Sequence, residues 1–108
     1  MIFNTGAALL DAVVLSVVSH EKKGTYGYKI THDVQAVIDV SESTLYPVLR
    51  RLLKDGCLET YDQEYQGRNR RYYKITSTGI VQLNMYKKEW YEYTLKINQL
   101  FNGGSQDG

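Results

Sequence analysis

Apolar residues fall into stretches of different period along this chain. From Ala8 onward Leu9, Leu10, Val13, Val14, Val17 and Val18 recur at spacings of three and four, the repeat of a helix that turns a broad face to a core. Lys22, Lys23 and Gly24 end it. Thr25 is placed to cap a second helix, whose apolar side would carry Tyr28, Ile30, Val34 and Val37. A third helix is the best marked. Ser41 or Ser43 offers its cap, Leu45, Leu49, Leu52 and Leu53 form its stripe, and Gly56 supplies the left-handed residue that commonly stops a helix. A Ser43 cap accommodates Pro47 more easily than a Ser41 cap, because a proline near the helix start removes a donor that has no partner there anyway.

Beyond Gly56 the period shortens to two. Residues 57–65 and 70–75 are extended runs rich in Tyr, Thr and Ile, separated by Gln66, Gly67, Arg68 and Asn69, which predicts a β-hairpin. In the second run Arg70, Tyr72 and Lys74 share one face, and Arg71, Tyr73 and Ile75 share the other. From Thr76 to Phe101 the helical period returns, with Leu83, Tyr86, Trp90, Tyr93, Ile97 and Leu100 forming a heptad-like seam. That seam lies outside the compact helix-hairpin unit, so it needs another surface, and a second copy of the chain is the simplest candidate.

The fold class expected is therefore mainly α with a small β-hairpin (α+β). Three helices followed by a hairpin is the order of a winged helix-turn-helix, here with a long C-terminal dimerisation helix added. Residues 1–76 would form the DNA-binding unit, residues 77–101 the dimerisation helix, and the Gly- and Ser-rich residues 102–108 a disordered tail.

Composition narrows the class without naming a function. At 108 residues, 43% hydrophobic and 23% charged, the chain fits one soluble globular domain. The apolar stretch near the start is broken by Asp11 and Ser16 and is too short to span a bilayer, so no membrane partner is expected. The lone cysteine, Cys57, can neither close an internal disulfide nor complete a Cys-rich zinc site. That points to a reducing, cytoplasmic setting with no metal and no cofactor. Net charge is only +1, so any case for nucleic acid rests on local clustering. Between Tyr46 and Lys74 seven basic residues stand against four acidic ones; the excess sits on the third helix and the hairpin.

Helical spacing puts Ser43, Pro47, Arg50 and Lys54 on one side of the third helix, with Thr44 and Tyr46 beside them, opposite the leucines. Arginine donates in parallel to guanine, and hydroxyls reach bases or phosphates. A solvated face of an amphipathic helix would carry the same charges. At the hairpin Arg68, Asn69, Arg70 and Arg71 suit a phosphate clamp, since guanidinium groups grip phosphate oxygens as a fork. Charges that merely protect a sheet edge are the plainer alternative.

Taken together, three blocks resemble the PadR (phenolic acid decarboxylase regulator) family. They are Tyr26, Gly27, Tyr28, Lys29 and Ile30; Ser43, Thr44, Leu45, Tyr46 and Pro47, followed by Leu49, Arg51, Leu52, Asp55 and Gly56; and the run from Gly67 through Thr76, followed by Gly79. The resemblance covers about Leu9 to Leu100. It implies a repressor that binds double-stranded operator DNA as a homodimer, with the third helix in the major groove and the hairpin as wing. The single C-terminal helix is similar to that of the family's smaller subgroup. Trp90 falls where some such regulators carry a tryptophan at the dimer interface that sandwiches flat aromatic compounds. Tyr86 and Tyr93 would add walls for a small aromatic effector, although an aromatic stripe at heptad spacing is more often dimer core.

Two other classes compete. An enzyme would draw on His20, His32 or Cys57, but these form no Gly-x-Ser-x-Gly elbow, phosphate loop or His-Glu-x-x-His motif. A winged-helix module that binds only protein would leave its basic helix and wing without a task.

Overall fold

A computed structural model describes residues 6–103. Helix α1 (Ala7–Ser19) buries Val14, Leu15 and Val18 completely and lays Leu10, Val13 and Val17 along the margin of the same core. After it the chain turns through Gly24, whose positive φ of 102° and closeness to the Tyr61 hydroxyl leave no room for a side chain.

Thr25 does not cap a helix as expected. It lies fully buried in a two-residue strand, β1 (Thr25–Tyr26), and helix α2 (Gly27–Gln35) starts from extended Tyr26 with no side-chain cap. The apolar side of α2 is also narrower than the sequence implied. Ile30, Thr31 and Val34 are buried, whereas Tyr28 is 74% exposed and stacks on His32, and Val37 is 70% exposed beyond the helix end.

Helix α3 (Glu42–Lys54) begins at Ser41, whose Oγ accepts from the Thr44 N–H at 3.2 Å. The alternative cap, Ser43, lies inside the helix, and Pro47 therefore sits in its second turn. Leu45, Val48, Leu49 and Leu52 hold α3 to the core, and Leu53 packs at its edge. The helix ends as expected at Gly56, where φ is 77°. Gly56 N–H bonds the Leu53 carbonyl and Cys57 N–H the Leu52 carbonyl, the paired bonds of a glycine-terminated helix.

The hairpin follows at once. Strand β2 (Leu58–Tyr65) and strand β3 (Arg68–Ile75) are antiparallel, with Tyr65 opposite Arg68 and Leu58 opposite Ile75. The connection is two residues, not four: Gln66 and Gly67 both have positive φ, 53° and 78°, the geometry that matches the twist of a tight hairpin. Arg68 and Asn69 are consequently strand residues. β1 adds to the other edge of β3, giving a three-stranded sheet in the order β1-β3-β2. Leu58 is buried, and Tyr73 and Ile75 pack beside it against the core. The opposite face carries Tyr26, Tyr61 and Tyr72, their rings 5.4–5.8 Å apart.

Helix α4 (Ser77–Phe101) is capped by Thr76, whose Oγ1 accepts from the Gly79 N–H. At 25 residues it is about 37 Å long, and the molecule measures 66 × 26 × 21 Å. The first turns of α4 lie on α1. Leu83, at 4% exposure, belongs to the same core as α1 and α3, so the expected division after residue 76 runs through continuous packing. Asn102 and Gly103 form a turn; residues 104–108 of the expected tail lie outside the described residues.

Candidate nucleic-acid interface

The outward side of α3 follows from its inward side. Because Leu45, Val48, Leu49 and Leu52 are buried, the helical repeat turns Ser43, Thr44, Tyr46, Pro47, Arg50 and Lys54 to solvent, and all six are exposed. Ser41, Ser43 and Thr44 share hydroxyl hydrogen bonds around the cap. Pro47 is exposed in the second turn of the helix. Arg50 and Lys54 follow on the same side.

At the wing the tight turn brings Tyr65, Gln66 and the run Arg68 to Arg71 around one open recess of about 640 Å³. The arginines differ in how they are held. Arg68 and Arg71 are exposed, and Arg71 lies 3.7 Å from Asp62 in a solvent-screened pair that contributes little to stability. Arg70 is half-buried, its guanidinium 4.0 Å from the Tyr26 ring centre and 3.8 Å from that of Tyr65. Two aromatic faces hold a cation that still has its N–H fork to offer. Tyr26 reaches this position only because β1 pairs with β3, a strand that periodicity did not reveal.

Arg51 stands apart from the other basic residues of α3. It turns back to α1, where Nη1 donates to Asp11 Oδ2 at 2.8 Å and Nη2 to Oδ1 at 2.6 Å. The Tyr86 hydroxyl of α4 donates to the same Oδ2 at 3.1 Å. These bonds push the Arg51 pKa up, and burial, then the Asp11 carboxylate, pushes the Tyr86 phenol up. In the sequence Asp11 reads only as a break in the apolar stretch, yet it carries a further signal. A carboxylate in the middle of an otherwise apolar helical face is buried, at 4% exposure, and a buried carboxylate needs a cation.

Of the seam expected on α4, the structure divides the members. Leu83 is buried in the protomer's own core, and Tyr86 is engaged with Asp11. Trp90 is 40% exposed and lies against Tyr93 at 5.9 Å between ring centres. Ile97 is half-buried and Leu100 is exposed. Between α1 and α4 runs an apolar groove of about 210 Å³ lined by Leu9, Ala12, Val13, Ser16, Leu83, Tyr86, Lys87 and Trp90. Tyr93, the third expected ligand wall, is not among its lining residues.

His20, just past the end of α1, and His32, on α2, are exposed, and Cys57 is buried, which pushes its thiol pKa up. Among the described residues no group of His, Cys, Asp and Glu is arranged to hold a metal ion, and no helix is long and apolar enough to cross a membrane.

A sequence model of the transcriptional regulator PadR-like family matches residues 14–85. The chain is similar to a crystal structure from Streptococcus mutans at 37% identity and a TM-score of 0.84, covering 100% of both chains. It is also similar to that of a PadR-like transcriptional regulator from Bacillus cereus at 29% identity and a TM-score of 0.81, covering 92% of this chain and 97% of the other. An uncharacterised protein of Lysinibacillus sphaericus is 33% identical over 87% of this chain and 89% of its own length.

Proposed function

The chain belongs to the PadR-like family of DNA-binding transcriptional regulators, and from that premise we propose that it is a repressor that grips operator DNA as a homodimer. The observation that carries this reading is the separation of roles among its basic residues. Arg51, itself exposed, gives both terminal nitrogens to the buried Asp11 carboxylate, whereas Arg50, Lys54, Arg68 and Arg71 turn to solvent on α3 and at the wing tip.

In this reading α3 enters the major groove. Arg50 donates to a base edge, with Ser43, Thr44, Tyr46 and Lys54 on neighbouring bases or phosphates and Pro47 in apolar contact. Arg68, Asn69, Arg70 and Arg71 grip the backbone beside it. Residues 77–101 join two copies through Trp90, Tyr93, Ile97 and Leu100, with Tyr86 and Leu83 supporting them from within each protomer. A small planar aromatic compound seated in the groove against Tyr86 and Trp90 releases the DNA, provided it prefers the dimer geometry that fits DNA less well. A DNA target and a single buried thiol go with a cytoplasmic setting.

Binding to a fragment of the protein's own promoter region should weaken steeply with salt, the logarithmic slope being about −0.9 per phosphate neutralised. Arg68→Ala with Arg71→Ala should reduce that slope by about one unit per residue on every sequence, whereas Arg50→Ala should cost about 1–3 kcal/mol and relax one base step. A salt-independent shift, or none, refutes the reading and leaves a module that binds only protein.

A further inference from the structure

The contact between Asp11, Arg51 and Tyr86 joins three elements that are distant in sequence, and no part of the DNA-facing surface uses it. Asp11 comes from the middle of α1, Arg51 from the last turn of α3, and Tyr86 from the part of α4 that walls the groove. Elsewhere α3 is held by Leu45, Val48, Leu49 and Leu52, and apolar contacts of that kind are non-directional. They fix how close α3 lies to the core more firmly than they fix its rotation about its own axis. A guanidinium that gives both terminal nitrogens to the two oxygens of one carboxylate is directional. The Tyr86 hydroxyl donates to the same carboxylate, at Oδ2.

Rotation matters because Arg50 is the neighbour of Arg51 on the same helix. A turn of about 10° at a radius of about 6 Å moves a surface group by about 1 Å, enough to spoil a two-bond contact with a base. We infer that Asp11 and Tyr86 are positioning residues for the recognition helix: acting through Arg51, they set the rotation of α3 and so aim Arg50 and Lys54. The inference rests on the DNA-binding reading above.

Tyr86→Phe is the clean perturbation. It keeps the ring, the groove wall, the net charge and every exposed group of α3 and the wing, and removes one hydroxyl. Affinities of the full-length wild type, Tyr86→Phe and Asp11→Asn are measured by fluorescence anisotropy on the promoter fragment and on a shuffled fragment of equal length. Tyr86→Phe is expected to lose about fivefold or more of the preference for the promoter, the worth of one hydrogen bond between a misaimed Arg50 and its base. Its affinity for shuffled DNA should stay within about twofold. Asp11→Asn should lose at least as much preference while binding shuffled DNA more tightly, because the Arg51 charge is no longer neutralised.

An unchanged promoter preference in Tyr86→Phe overturns the inference. So does an equal loss on both DNAs with a lower melting temperature, the mark of a merely structural role. Wild type without any promoter preference overturns the DNA-binding reading itself, so the two failures are told apart. A second measurement needs no DNA: amide exchange should quicken in α3 of Tyr86→Phe while α2 keeps its wild-type rates, and unchanged α3 rates count against the inference.

Discussion

Replacing Gly79 by alanine sets two physical arguments against each other. Gly79 stands in the first turn of α4, where helix propensity alone favours alanine by about 1 kcal/mol. The geometry forbids it. A Cβ at this position would lie 2.1 Å from the Cys57 backbone oxygen and 2.7 Å from Ile75 Cγ1, whereas a carbon and an oxygen rest at about 3.3 Å. The start of α4 would have to retreat from the hairpin base by about 1 Å, and that base is closed by hydrogen bonds. Thr76 N–H donates to the Cys57 carbonyl at 3.1 Å, Thr76 Oγ1 donates to the Gly56 carbonyl at 2.6 Å, and the same oxygen accepts from Gly79 N–H at 3.0 Å. Losing two of these at about 1 kcal/mol each, with overpacking strain of about 1–3 kcal/mol, exceeds the propensity gain. A net destabilisation of about 3 kcal/mol is expected, a fall in Tm of about 12–24 °C for a domain of this size. Thermal unfolding followed by circular dichroism at fixed protein concentration measures it. Gly27→Ala is the internal control: its Cβ would meet only the Tyr46 ring, at 3.7 Å, and Tm should hold or rise. A Gly79→Ala protein that melts at or above the wild type refutes the reasoning.

The Tyr86 hydroxyl should make itself felt in alkali. Its pKa is raised above the ordinary 10.0, first by burial and then by Asp11, so the stability it contributes is complete below about pH 10 and is lost as the pH rises through the raised value. The difference in urea midpoint between wild type and Tyr86→Phe should therefore be constant up to about pH 10 and shrink above it; a difference that grows in alkali contradicts this. On the seam of α4, Ile97→Glu should convert a dimer to a monomer in sedimentation at micromolar concentration. A wild-type protein that is already monomeric there removes the dimer from the account.

How much of this was legible in the sequence depended on whether a residue's role was local. The α3 stripe, its Gly56 stop and the Thr76 start of α4 could all be read because period, cap and left-handed residue lie within one element. Tyr28 and Val37 misled because apolar residues at nearly helical spacing need not face the core, and Val37 falls after the helix has ended. The turn at Gln66 and Gly67 reads two residues too long from sequence because glutamine is an unusual residue for a positive φ, so its boundary slides to Asn69. Strand β1 is two residues long and exists through its partner β3, which no period of two residues can announce. The same reason hid the site's inner half. Asp11 and Arg51 lie forty positions apart, and only the packing of α1 on α3 shows that Arg51 turns back to Asp11 while its neighbour Arg50 stays exposed.

In the proposed complex two copies present paired cationic helices and wings to one side of a DNA duplex. Hydroxyl-radical footprinting of the wild-type protein on its own promoter fragment reads that arrangement. Two symmetric protected patches are expected, their centres separated by about 34–36 Å, one turn of the duplex, or by a multiple of that distance. A single asymmetric patch, or uniform cleavage at protein concentrations that saturate binding, contradicts it.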